Sequence, residues 1–380
     1  MKTAIVHYWL LNMRGGEKVI ESLCRILPDA DIFTLFYDPE KVSPDIRSHN
    51  VKASFLNPLK RHYRTLLPLM PVALEHLDLR GYDLVISSES GPAKGVLTSS
   101  HTRHVCYCHS PMRYLWDLYP DYLHDWTRSR IKRALMAPLA NYLRLWDYAS
   151  AARVDHFIAN SRNVQERIWK AYRRESEVIY PPVAVDQFYF APPEDYYLIV
   201  SELVSYKQVG YAVKHFSETQ RRLKIVGRGP EYSHLRNLAG PSVEFCGHVS
   251  DNELRDLYAR CRAVIVPGEE DFGIVAVEAL ASGKAVIALG RGGVLESAAK
   301  SDPKAGYFYR DPVAAQLQSA IDEFESEEED LPRSALQAHA ALFSERRFHS
   351  TMAKVLFGDN RPAERGDQSL AVAASRSTAA

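Results

Sequence analysis

Short apolar runs, each closed by glycine, proline or a polar cluster and most followed by a stretch of helical period, recur from one end of the chain to the other. Strand-like runs fall at Lys2 to Tyr8, Asp31 to Tyr37, Val51 to Phe55, Asp83 to Ser88, His104 to His109, Val154 to Ala159 and Glu177 to Tyr180, with helical periods at Val19 to Leu27 and Val164 to Tyr172. Pro181-Pro182 and the segment Ala191 to Asp195 break this rhythm, which then restarts. Five further strands are expected at Tyr197 to Val200, Leu223 to Val226, Val243 to Cys246, Ala263 to Val266 and Ala285 to Ala288, alternating with helices at Val209 to Phe216, Tyr232 to Leu238 and Asn252 to Tyr258. Strand and helix alternating in both halves predict an α/β protein of two facing, doubly wound Rossmann-like domains with a cleft between them. The boundaries are placed at 1–190 for the first domain and 191–345 for the second, with a terminal helix over 346–358 packing back toward the first and a disordered tail over 359–380.

The most informative stretch is VIVPGEEDFGIVAVEALASG, Val264 to Gly283. A β-branched run ends at Pro267-Gly268, two carboxylates follow, and an almost wholly apolar helix carries one charge, Glu278. An unpaired buried carboxylate is expensive, so Glu278 either has a partner or faces a ligand. Glu270 lies on the loop at the carboxyl end of the strand, where open α/β sheets bind ligands. An acidic cap on an ordinary helix would read the same way.

Length and composition narrow the class. The 380 residues suit two cores, and a balance of 47 basic against 47 acidic residues argues against bulk nucleic-acid binding. Five scattered cysteines offer neither a disulfide framework nor zinc spacing, which points to a reducing, cytoplasmic setting. The start MKTAIVHYWLL is read as a first strand because His7 and Asn12 interrupt its apolar run. No stretch is long enough to span a bilayer.

Candidate chemistry collects at the predicted strand ends. Gly15-Gly16 in NMRGGEKV matches neither the dinucleotide fingerprint nor a Walker loop, yet lets a backbone approach a phosphate or sugar oxygen; a ligand-free tight turn would look alike. Arg113 and His109 follow the fifth strand, and Asn160-Ser161 the sixth. In the second half Lys207, Gly227-Arg228-Gly229, the segment Glu270, Phe272, Gly273, Ile274, and Arg291-Gly292-Gly293 occupy equivalent places. No Asp, Asn or His set has metal spacing, so a cationic side chain and a helix dipole are expected to act in place of a metal. Two basic and apolar regions, Leu56 to Leu67 with Lys60, Arg61 and Arg64, and Trp126 to Trp146, fit either an anionic membrane surface or ordinary helix packing with snorkelled cations.

With these loops in view, residues 1–357 resemble the retaining nucleotide-sugar glycosyltransferases of family 4, which have the GT-B fold. The resemblance rests on E-x7-E at Glu270 and Glu278, on MRGGEKV, CHSPMRYLWD, RVDHFIANS and KIVGRGP. CHSPMRYLWD and VIYPPVAVDQFY are most similar to the mannosyltransferases of bacterial surface polysaccharide and lipopolysaccharide synthesis. The resemblance implies a hexose moved from a nucleotide sugar, GDP-mannose first and UDP-hexose as the alternative, onto a glycan or lipid-linked acceptor, without cofactor or metal. It implies His109, Lys207 and Glu270 as catalytic groups, and Glu278 on the ribose. The donor side would be lined by Gly15, Gly16, Gly227, Arg228, Gly229, Phe272, Gly273 and Ile274, and the acceptor side by Arg113, Asn160 and Ser161. It also implies work at the cytoplasmic face of a membrane, held there peripherally. In one respect the chain departs from the pattern. The family's arginine five positions before the lysine is Glu202 here, which must turn away or pair with a cation such as Arg228 or Arg291. A nucleotide-sugar epimerase and a catalytically weak binding scaffold are the competing classes.

Overall fold

The computed structural model describes residues 1–120, 130–298 and 304–358. Two all-parallel sheets organise the chain. The first, in the order β3-β2-β1-β4-β5-β6-β7, is built from β1 (Thr3–Leu10), β2 (Asp31–Tyr37), β3 (Val51–Ala53), β4 (Leu84–Glu89), β5 (Arg103–Cys108), β6 (His156–Ala159) and β7 (Ser176–Val178). The second, in the order β10-β9-β8-β11-β12-β13, uses β8 (Tyr197–Val200), β9 (Leu223–Val226), β10 (Val243–Gly247), β11 (Ala263–Val266), β12 (Ala285–Leu289) and β13 (Gly306–Tyr309). Asp31–Tyr37, Tyr197–Val200, Leu223–Val226 and Ala263–Val266 coincide with the runs read from the sequence, whereas β13 was not expected.

The helices are α1 (Gly15–Ile26), α2 (Pro44–Arg47), α3 (Met70–Glu75), α4 (Arg130–Ser150), α5 (Arg162–Tyr172), α6 (Val209–Thr219), α7 (Tyr232–Leu238), α8 (Asp251–Arg260), α9 (Ile274–Ala281), α10 (Val294–Ser297), α11 (Ala314–Glu327), α12 (Arg333–Ala340) and α13 (Glu345–Phe357). Successive residues of a strand face opposite sides, so a parallel strand covered by helices on both faces must be apolar throughout. In β1, Ile5 packs with Val19, Ile20 and Leu23 of α1, while Ala4 and Val6 pack on the other face with Met70 and Leu74 of α3. In the second sheet Ile265 and Ile287 meet Val213 and Phe216 of α6, and Val264 and Val286 meet Ala276 and Leu280 of α9. The arrangement is two facing Rossmann-like sheets with a cleft between them, the GT-B fold.

The terminal helix α13 lies against the first sheet's helices: Phe348, Met352 and Leu356 join the cluster of Ile5, Leu23 and Ile86. Ser22 and His349 share a hydrogen bond of 2.6 Å, and Arg103 donates to the Val355 and Leu356 carbonyls. The tail 359–380 lies outside the described residues.

Of the aromatic and basic region, residues 121–129 lie outside the described part. Trp146 points inward, where its ring edge would meet a Cβ placed on Gly95 at 2.1 Å, and its indole N–H donates to Glu75 at 3.0 Å. Asp147 is fully buried with Lys94 and Glu89, and accepts from Trp116 at 2.8 Å and Tyr172 at 3.0 Å. That face of α4 is therefore core, while Tyr142, Leu145 and Tyr148 stand exposed on the other.

Candidate functional site

Strand order reverses between β1 and β4 in the first sheet and between β8 and β11 in the second, and open parallel sheets bind ligands outside such switch points. The residues nominated from the sequence gather at both places.

At the second switch point Lys207 follows β8 and Glu270 follows β11, and Lys207 Nζ bonds Glu270 Oε2 at 2.5 Å. Burial alone would lower the affinity of Lys207 for its proton, but Glu270 overrides it and holds the ammonium above its usual range. Gly268 permits this closeness: a Cβ there would lie 2.7 Å from the Lys207 carbonyl. Beside the pair, α9 begins at Ile274 after Gly273, whose φ of +93° is a left-handed conformation that suits glycine. Glu278, one turn into α9, is 8% exposed, and Tyr258 donates to its Oε2 at 2.7 Å. Burial raises its carboxyl above the usual range, against the pull of Lys18. It lines a cavity of about 300 Å³ that also touches Lys18 and Arg25 of α1, Phe188, and Leu254 and Arg255 of α8, so this space is walled by both halves.

At the first switch point His7 of β1, Ser88 of β4 and His109 after β5 come together. Ser88 Oγ and His109 Nε2 lie 2.9 Å apart, and His7 Nδ1 donates to the Ser88 carbonyl at 3.0 Å. Burial, then the neighbouring His7, pushes His109 down to about 3, so its imidazole is neutral at ordinary pH. Gly16 covers both rings: a Cβ would sit 3.6 Å from His7 and 3.7 Å from His109. Gly15 and Gly16 are not a separate loop. They open α1, whose Glu17 is buried and accepts the Arg14 backbone N–H at 3.0 Å. A Cβ on Gly15 would come within 2.9 Å of Ile274 Cδ1, so the two halves nearly touch where α1 and α9 begin.

Other nominated residues take different places. Gly227 and Gly229 are demanded by packing, since a Cβ on either would fall 1.8 Å from the Ser201 carbonyl or 2.2 Å from that of Leu203; Gly227 also has a φ of +144°. The intervening Arg228 carbonyl accepts from Leu203 N–H at 3.0 Å. Glu202 pairs neither with Arg228 nor with Arg291, which is held by Asp311 at 3.0 Å; its partner is Arg14 across the cleft, at 2.8 Å. Arg113 reaches Asp271 at 3.1 Å, Ser161 Oγ donates to the Asp271 carbonyl at 2.6 Å, and Asn160 accepts from Ser161 at 3.2 Å. These three residues thus sit along the seam with the Glu270 loop. His7, Arg14, Glu17, Arg167 and Glu296 escaped the sequence reading, the first although its break in an apolar run was visible, whereas Ser88 stood at a strand end legible beside His109. Among the described residues no cluster of three His, Cys, Asp or Glu side chains is placed to hold a metal ion.

Comparison with known proteins divides the chain at the same seam. Residues 13–187 match the family profile described as Glycosyltransferase Family 4, and residues 186–339 match that of Glycosyl transferases group 1. The O-antigen chain mannosyltransferase RfbU of Salmonella typhimurium is 30% identical over 159 residues, 38% of this chain and 45% of that protein. The chain spans less than half the length of the curated relatives it matches. Among solved structures, Anabaena Alr3699/HepE in complex with UDP superposes with a TM-score of 0.67 at 16% identity, over 94% of this chain and 99% of that one. WaaG, a glycosyltransferase involved in lipopolysaccharide biosynthesis, gives 0.69 at 14% identity over 94% and 100%.

Proposed function

We propose that this protein is a glycosyltransferase that moves a hexose from a nucleotide sugar onto a hydroxyl of a glycan or lipid-linked acceptor, with retention of anomeric configuration. One observation carries the reading: Lys207, Glu270 and the first turn of α9 at one switch point face Gly15, Gly16 and His109 at the other, across a seam where Gly15 and Ile274 almost meet.

In this reading Lys207 leaves Glu270 for the donor diphosphate, and the free N–H groups that open α9 add their partial positive charge. Together they stabilise the leaving nucleoside diphosphate, whose departing oxygen takes the acceptor proton on the same face of the sugar. Glu270, released from Lys207, accepts from sugar hydroxyls. His109 is neutral and bonds a hydroxyl of the transferred hexose instead of neutralising phosphate. Glu278 accepts from the ribose in the cavity it lines.

A UDP-hexose is the leading donor, because HepE, which shares the fold, is described with UDP, with UDP-glucose, and with UDP and glucose. GDP-mannose, first choice on sequence resemblance, is the second reading, favoured by the partial likeness to RfbU. Work at a lipid surface is part of the proposal. Among the described residues no helix is long and apolar enough to cross a membrane, but Phe55, Leu59, Leu69 and Val72 stand exposed near Lys60, Arg61 and Arg64.

Calorimetric titration with UDP and GDP, followed by turnover of the matching sugar nucleotides with lipid-linked acceptors, tests the reading. Micromolar UDP binding and a product that keeps the donor's anomeric configuration are expected. Tighter binding of GDP overturns the donor choice; interconversion of free nucleotide sugars without an acceptor, or binding without transfer from any donor, overturns the transferase.

A further inference from the structure

Helix α5 belongs to the first sheet's half, yet its first turn is completed from the second. Helix starts leave unpaired N–H groups that need acceptors. Ser161 Oγ takes the Val164 N–H at 3.1 Å from within the chain's own turn. The Arg162 and Asn163 N–H groups instead donate to the two oxygens of Glu296, at 2.8 and 2.9 Å, and Tyr180 adds its hydroxyl at 3.2 Å. A carboxylate suits this place because each oxygen takes one N–H while its charge meets the positive end of the helix.

Glu296 is also joined to the reacting side. It lies on α10, directly after Arg291-Gly292-Gly293, and that turn is stitched to the Glu270 loop: Glu270 and Gly292 form a β-bridge, and Gly293 N–H donates to the Glu270 carbonyl at 2.8 Å. The fit is tight enough to exclude side chains, since Cβ atoms on Gly292 and Gly293 would lie 2.3 and 2.1 Å from the Glu270 and Asp271 carbonyls. The two loops therefore act as one plate. Its near edge is held by the same helix, through Ser161 on the Asp271 carbonyl and Arg167 on Glu269 and Asp271.

We propose that Glu296 is a positioning residue for sugar transfer: by capping α5 across the cleft it fixes the plate that carries Glu270 against the half that carries His109, and keeps the cleft closed before donor arrives. The inference rests on the transferase reading, but its consequence for shape does not. Neither Glu296 nor Arg167 needs to touch substrate.

The test uses the full chain with Glu296→Ala, Glu296→Gln and Arg167→Met. Small-angle scattering without ligand and with saturating UDP reads the closure, and steady-state kinetics read the chemistry. Losing two charge-assisted hydrogen bonds should shift the closed-to-open ratio by about tenfold or more. Glu296→Ala is expected to show a larger radius of gyration that UDP partly restores, with kcat down about tenfold and a raised donor KM. Glu296→Gln, which keeps an acceptor oxygen and loses the charge, should fall between it and the parent, and Arg167→Met should open the cleft in the same direction. Parental scattering in both Glu296→Ala and Arg167→Met overturns the proposal, as does an opened Glu296→Ala with parental kcat and KM. A chain that transfers no sugar at all still answers through the scattering, so failure of the transferase reading and failure of the clamp are distinguishable.

Discussion

The Lys207–Glu270 pair is where a stabilising ion pair and a working pair of groups predict different outcomes. The two side chains are 17% and 22% exposed, so neither is bathed in solvent and neither is fully dry. Lys207→Met leaves the Glu270 carboxylate without its 2.5 Å partner, which should cost about 1–3 kcal/mol of stability. Glu270→Gln strands the ammonium with a similar penalty. Removing both charges together cancels most of this, because a buried pair replaced as a unit is often close to neutral. Stability of Lys207→Met/Glu270→Gln should then return to within about 1 kcal/mol of the parent. Transfer should not return. Loss of the charge-assisted contact to a diphosphate removes roughly 1.5–3 kcal/mol, or about 10- to 150-fold in donor affinity, and nothing in the double variant replaces it. Denaturant unfolding of the four proteins gives the stability cycle, and donor titration with initial rates gives the functional one. A double variant that recovers stability and turnover together would refute the argument and reduce the pair to a structural bridge.

Glu202→Gln frees Arg14 and removes a negative charge beside the glycine-rich start of α1; the exposed pair contributes little, about 0–1 kcal/mol, so UDP affinity by calorimetry should rise several-fold at low salt, and weaker binding would show that Glu202 assists the donor. His109 titrates at about 3 in the folded protein against roughly 6.5 unfolded, so its contribution to stability is complete above pH 6.5 and is lost as pH falls toward 3. Between pH 7 and pH 5 that loss is about 1–2 kcal/mol, and His109→Asn should flatten the acid limb of a stability profile by that amount; a parallel profile would contradict the neutral imidazole. Sedimentation with anionic vesicles should fall at high salt and on neutralising Lys60, Arg61 and Arg64, and equal, negligible pelleting with anionic and neutral vesicles would remove the lipid surface from the proposal.

How far the sequence could be read follows from the range of the forces involved. Strands such as Asp31–Tyr37 and Ala263–Val266 are visible because burial on both faces leaves an uninterrupted β-branched or aromatic run between turns. β13, four residues of GYFY, opens on glycine and is too short to carry a period of its own. The start of α1 was misplaced at Val19 because Gly15-Gly16 reads as a loop, although the buried Glu17 and the Arg14 N–H complete a helix start there. Lys207 and Glu270 were legible as polar residues just past the ends of apolar strands, and Glu278 as the one charge within an apolar helix. Their cross-cleft company was not: Glu202 meets Arg14 188 positions away, and Glu296 meets Arg162 134 positions away. A pairing of that kind leaves no periodic trace in either segment. It fixed the outcome for Glu202, whose expected cations lay nearer in the chain.

The crossing of α13 has a consequence for the order in which the protein can be made. Phe348, Met352 and Leu356 fill the first sheet's own core, yet they are synthesised after every strand of the second sheet. Between β7, ending at Val178, and Leu356 the ribosome adds a whole second domain, which at 5–20 residues per second takes roughly ten to forty seconds. Throughout that interval the face formed by Val19, Leu23 and Ile86 waits uncovered in the nascent chain, a docking groove that α13 fills once it emerges.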